Sequence, residues 1–156
     1  MTAGEDALVG QLARLLEAER DRLSPRRVLE LLSLLLGERA QAGDASHYVY
    51  EYGRRAGYSL PALVHPRAYV SPTADIRPGA VVLALAAVGA CAVVEQGAIV
   101  NMGAIADHDC VVGACAHLAP GAIVKAGNTV PAQMKIESGT VLERGAAFLP
   151  LGGQHV

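Results

Sequence analysis

Tryptophan is missing from this 156-residue chain, phenylalanine occurs once, and aromatic residues make up only 4% of it. Hydrophobic residues nevertheless reach 52%, so the apolar mass is alanine, valine and leucine, which suits a narrow interior better than a broad one. Long hydrophobic runs are lacking too. The longest, VVLALAAVGACAVV, has 14 residues and is too short to span a bilayer. The N-terminus carries Glu5 and Asp6 in place of a charged-then-apolar leader, so a cytoplasmic location is expected. No basic run interrupts a net charge of −2, which gives no electrostatic reason to expect nucleic acid. Three cysteines (Cys91, Cys110, Cys115) form an odd set without CxxC spacing and read as free thiols of a reducing compartment.

What is present divides into two unlike segments. Residues 1–45 hold six arginines and eight acids, whereas residues 64–148 hold five basic and six acidic residues in nearly twice the length. The first segment predicts a helical hairpin. Leu8, Leu12, Leu15, Leu16 and Leu23 recur at helical spacing, and Ser24-Pro25 reads as an N-cap with proline at the first helical position. Val28, Leu31, Leu32 and Leu35 form the second stripe, and such a short pair needs a further surface to cover its leucines. Residues 46–63 serve as a connector, 64–148 form the second segment, and 149–156 are a tail.

The second segment is periodic. Stepping by six from Val64 gives Val70, Ile76, Val82, Val88, Val94, Val100, Ala106, Val112, Leu118, Val124, Val130, Ile136, Leu142 and Phe148. Four positions after each of these comes a small residue, from Ala68 to Ala146, with only Asn128 and Met134 straining the rule. The third position is glycine in seven of the fourteen units (79, 97, 103, 121, 127, 139, 145), where positive φ makes a tight corner at no steric cost. An internal repeat of this regularity takes precedence over any other reading of the fold. The pattern resembles that of the hexapeptide-repeat acyltransferases. That resemblance implies a mainly β fold, a left-handed parallel β-helix in which three hexapeptides close a triangular coil of 18 residues.

One unit breaks the rule twice. His108-Asp109 stands where neighbouring corners carry Met102-Gly103 and Pro120-Gly121, and Ala106 is the smallest of the starting residues. Local rules tend to fail where function intrudes. The run GAIADHDCVVGACAHLAPGAIVKAG, with LVHPRAYVSPTADI before it, is similar to the catalytic stretch of the sialic acid O-acetyltransferase and bacillosamine-pathway sugar N-acetyltransferase group. The resemblance implies acetyl-CoA as co-substrate, a sugar or nucleotide-sugar hydroxyl or amine as acceptor, and a homotrimer with clefts between prisms. It also implies that His108 is the general base, oriented by Asp109, and that His117 contacts cofactor or acceptor. The amide near Ala126 or Gly127 would meet the thioester carbonyl, and no metal is implied. Histidine suits this chemistry because its pKa of about 6.5 lies close to neutrality.

With an 18-residue coil, His108 stacks between Ala90 and Ala126, whose methyl groups leave room on both sides of the ring. Asp107, Lys125 and Glu143 stack as an acid–base–acid ladder, and Lys135, one coil beyond His117, reads either as a solvated lysine or as a contact for coenzyme phosphate. His108 and His117 fall half a coil apart, on different sides of one prism, so a shared site needs two subunits. The charged helices stand where the family has a nucleotide-binding α/β domain, and PLGGQHV does not resemble its coenzyme-binding loop. Two other readings therefore stand beside the transferase. One is a non-catalytic trimeric assembly module, and the other is a γ-carbonic-anhydrase-like enzyme with a metal held by His108 and His117 of neighbouring subunits.

Overall fold

The computed structural model describes residues 50, 51, 53–55, 57 and 59–146. The expected helical hairpin, Phe148 and the tail lie outside the described residues. From residue 63 onward the chain winds in flat turns of three two-residue strands. The first turn carries β1 (Leu63–Val64), β2 (Tyr69–Val70) and β3 (Asp75–Ile76). The second carries β4 (Val81–Val82), β5 (Ala87–Val88) and β6 (Val93–Val94), and the third β7 (Ile99–Val100), β8 (Ile105–Ala106) and β9 (Val111–Val112). The fourth carries β10 (His117–Leu118), β11 (Ile123–Val124) and β12 (Thr129–Val130), and β13 (Lys135–Ile136) and β14 (Val141–Leu142) begin another.

Strands three apart pair in parallel. The first sheet runs β1-β4-β7-β10-β13, the second β2-β5-β8-β11-β14, and the third β3-β6-β9-β12. The register is constant, with Val82 beside Val100 and Val100 beside Leu118, so equivalent residues of successive turns stand 18 apart. Amides of one turn donate to carbonyls of the next, as from Ile105 N to Ala122 O (2.8 Å) and from Asp107 N to Val124 O (2.9 Å). This is the parallel β-helix that the six-residue period predicts.

The inward positions are those read from the repeat. Val82, Val88, Val94, Val100, Val112, Leu118, Val124 and Val130 are fully buried, with Ala80, Ala92, Ala98, Ala104, Ala116 and Ala122 between them. Ala106 has a packing explanation. It is fully buried and stacks between Val88 and Val124 of the adjoining turns, so a small residue stands between two larger ones. Asn128, which strains the small-residue rule, is 3% exposed and fully engaged. Its Nδ2 donates to Lys125 O (2.8 Å) and Glu143 O (2.9 Å), and its Oδ1 accepts from the amides of Gly145 and Ala146 at 3.1 Å. It ties the last described corner to the turn below.

All seven corner glycines have positive φ, and so do Leu85, Cys91, Asp109, Cys115 and Gln133 at the equivalent position. Non-glycine residues there cost roughly 1–2 kcal/mol each, which the ladder of parallel hydrogen bonds sustains. Over the corner between the third and first sheets lies Tyr50. A Cβ on Gly79 would stand 2.6 Å from its ring, and one on Gly97 3.1 Å from its Cβ, so the bare corners form a seat for this side chain.

The narrow interior gives a direct test. Ala98→Leu or Ala104→Leu, at positions with no exposure, should overfill the prism and destabilise it by about 1–3 kcal/mol. Thermal melts matching the parent would show that the inward register is misread.

Candidate active site

His108 sits at the corner between the second and third sheets, held by bonds from the turns on both sides. Asp109 N donates to Ala90 O (2.9 Å), and Gly127 N donates to His108 O (3.1 Å). The two aspartates flanking the histidine divide the work. Asp107 Oδ1 accepts from the His108 backbone amide at 2.7 Å and fixes the corner. Asp109 Oδ2 lies 2.7 Å from His108 Nδ1. A carboxylate can only accept, so Nδ1 carries a proton, and in the neutral ring the lone pair is on Nε2. The two side chains are 52% and 63% exposed, and among the described residues nothing partners Nε2. The corner thus presents an oriented imidazole with a free basic nitrogen to solvent.

The expected neighbours above and below are confirmed in position. Ala126 is 7% exposed, and Gly127, at φ 74°, forms the corner over His108. The Gly127 amide is occupied by the His108 carbonyl, whereas the Ala126 amide has no partner among the described residues. One contributor was not evident from the sequence: Gly89. A Cβ there would stand 2.6 Å from His108 N and 2.8 Å from the Asp107 carbonyl carbon, so the turn below must be bare for the histidine corner to close. Its signal lay in the repeat, since only Gly89 and Gly113 place glycine directly after a buried starting valine.

His117 and Lys135 stand elsewhere, paired side by side on β10 and β13 of the first sheet. That sheet lies across the prism from the His108 corner, so a single chain does not bring the two histidines together. His117 is half-buried, and burial pushes its imidazole below the usual histidine range. Repulsion from Lys135 acts in the same direction, and Glu137 opposes it. Asn101 Nδ2 lies 2.9 Å from His117 Nε2, a contact the sequence did not suggest. Lys135 Nζ is engaged by Glu137 Oε2 at 2.9 Å. The expected three-member ladder forms in its upper half only. Lys125 Nζ pairs with Glu143 Oε2 at 2.6 Å, while Asp107 serves the His108 amide.

The two buried thiols are poor nucleophiles. Cys110 is fully buried, its Sγ 3.2 Å from Lys125 O, and burial raises its pKa although amides of Asn128 and Gly127 act the other way. Burial, aided by Glu51, pushes Cys115 up to about 11. Among the described residues no three His, Cys, Asp or Glu side chains of one chain converge as metal ligands.

Among solved structures, the chain is similar to the acetyltransferase domain of PglB from Neisseria gonorrhoeae FA1090 in complex with acetyl coenzyme A. Identity is 28% over 85% of this chain and 71% of that one, with a TM-score of 0.59. It is also similar to PerB from Caulobacter crescentus in complex with CoA and GDP-perosamine, with 33% identity over 72% of this chain and 68% of that one, TM-score 0.56. The chain belongs to the hexapeptide-repeat sugar acetyltransferases. No protein-family model and no curated protein sequence matches it. As a member of that family it is an acyltransferase, and its β-helix is of the left-handed type.

The role of Gly89 is open to test against Gly113, where a Cβ would likewise meet backbone, 2.6 Å from Val130 O. Both alanine variants should lose stability, by roughly 1–3 kcal/mol. Only Gly89→Ala should also move the ring resonances of His108. Unchanged His108 signals in a destabilised Gly89→Ala protein would separate this glycine from the site.

Proposed function

We propose that this chain transfers an acetyl group from acetyl-CoA to a hydroxyl or amine of a sugar or nucleotide sugar, with His108 as general base. The observation that carries the reading is the His108–Asp109 pair, whose geometry frees Nε2 as an exposed, oriented base. The similar structures hold acetyl coenzyme A in one case and CoA with GDP-perosamine in the other, which supports the choice of donor and acceptor.

The chemistry balances with these groups. As the acceptor oxygen or nitrogen attacks the thioester carbonyl, its proton passes to His108 Nε2, and Asp109 stabilises the imidazolium through Nδ1–H. The negative charge gathers on the former carbonyl oxygen, for which the unpartnered Ala126 amide is the available donor. Gly127, whose amide is occupied, contributes the corner. Collapse expels the coenzyme thiolate, which recovers the proton from His108. His117 and Lys135 serve the cofactor side, Lys135 reaching a coenzyme phosphate by exchanging Glu137 for it.

A homotrimer would unite the two halves. Outward residues on the second sheet include Tyr69, Ile105 and Val141, and the corner joining it to the first sheet carries Leu85 and Met102, 62% and 56% exposed. In the middle turns that corner holds no charged residue, whereas the other two corners carry Arg77, Glu95, Asp107 and Lys125. Packing the apolar edge around a threefold axis sets the His108 corner of one subunit against the His117 sheet of the next. Three free thiols support a cytoplasmic setting.

His108→Ala should lower turnover by roughly 10²–10⁴-fold with the fold intact, and Asp109→Asn should lower it less. Acetyl-CoA consumption across nucleotide-linked amino sugars and sialic acids measures both, and equal rates for wild type and His108→Ala would remove the base assignment. Light scattering should give three times the chain mass. A monomer at micromolar concentration would exclude a site shared between subunits.

A further inference from the structure

Two histidines serve the proposed reaction, yet their surroundings treat them in opposite ways. The Asn101 amide decides the state of His117. Asn101 Oδ1 accepts from the Met102 backbone amide at 2.8 Å, which turns the Nδ2 end toward His117 Nε2 at 2.9 Å. An amide nitrogen is a donor only, so Nε2 must offer its lone pair and the neutral ring carries its proton on Nδ1. That Nδ1 is buried and has no partner. Protonating Nε2 would set an N–H against the Asn101 NH2, so this hydrogen bond opposes the cation.

We propose that Asn101 is a positioning residue that locks His117 as a neutral Nδ1–H ring and occupies its basic nitrogen, leaving His108 as the free base of the two. The consequence for the reaction rests on the transferase reading above, whereas the lock itself is a property of the fold. The groups facing His117 are few. β7 presents Ile99 beside it, and β13 presents Lys135, whose ammonium is paired with Glu137. Lys135 disfavours the imidazolium and Glu137 favours it, burial being the larger influence. Charge around the ring therefore leaves the hydrogen bond from Asn101 as the feature that selects the tautomer.

Asn101→Asp is the informative change. Its carboxylate can still accept from the Met102 amide, so the corner is preserved, but it replaces the donor to Nε2 with an acceptor. Asn101→Ala removes the interaction altogether. Long-range proton–nitrogen spectra of the 15N-labelled protein, with His117→Gln to assign the signals, report the tautomer without any activity. Wild-type His117 should show a protonated Nδ1 and a lone-pair Nε2, and should titrate below an ordinary histidine. In Asn101→Asp the proton should move to Nε2 and the titration midpoint should rise. Asn101→Ala should show a mixture of tautomers. An Nε2–H ring in wild type, or an unaltered ring in Asn101→Asp, would overturn the lock. In the transfer assay Asn101→Asp should lower kcat/KM roughly 10- to 100-fold, the scale seen when the hydrogen-bond partner of a metal-bound histidine is lost. The loss should deepen as pH falls through the new midpoint. A switched tautomer with unchanged kcat/KM and pH profile would overturn the positioning role. A switched tautomer in a protein whose wild type transfers no acetyl group would leave the lock standing and remove the transferase reading instead.

Discussion

The structure depends on one constraint, the coupling of a left-handed corner every six residues to an unbroken parallel hydrogen-bond ladder. Each two-residue strand is too short to hold itself, and only its neighbours 18 residues before and after give it partners. The corner sets where the next strand begins, and the ladder pays for corners that are not glycine, such as Leu85 at φ 62° and Gln133 at φ 62°. A slip of one residue would turn alanine and valine outward and drive acids and lysine into the prism. Depletion of aromatic residues follows from the same geometry, because three short sides enclose an interior too thin for rings. Tyr50 and Tyr69 accordingly stand outside the core.

Upon that frame the two histidines receive the same tautomer by opposite means. Asp109, an acceptor, draws the proton of His108 to Nδ1 and leaves Nε2 open to solvent. Asn101, a donor, claims the lone pair of His117 Nε2 and leaves the proton on Nδ1 by exclusion. One ring is prepared to accept a proton, and the other is held neutral where Lys135 and burial already disfavour charge. Residue type alone does not distinguish them; the partner at one nitrogen does.

This marks what the sequence could and could not tell. Period, inward residues, glycine corners and the placement of His108 between Ala90 and Ala126 follow from counting, because a repeat converts sequence offset into spatial adjacency. The two irregularities read as marks of a site were weaker than they looked. Ala106 is a buried core position between Val88 and Val124, and Asp109 shares its positive φ with four other non-glycine corners. Contacts that cross a corner escaped the count. Asn101 meets His117 from 16 residues away, and Gly89 makes room for a backbone that only three dimensions bring to it. Asn128 looked like a flaw in the small-residue rule because a buried asparagine is acceptable only with its partners in view, and those lie up to 18 residues later.

A repeat also explains how chemistry can be placed on so regular a surface. Outward residues are not needed for the core, so Asp107, His108 and Asp109 occupy one corner without altering the inward pattern of Val100, Ala104, Ala106 and Cys110. The separation is incomplete, however. The histidine corner closes only because the turn below is bare at Gly89, and it is tied to the turn above through the Gly127 amide. Three successive turns therefore act together at this site. Because the His117 sheet lies across the prism from that corner, no rearrangement within one rigid chain can join the two histidines. Any chemistry that uses both must come from the packing of one prism against another.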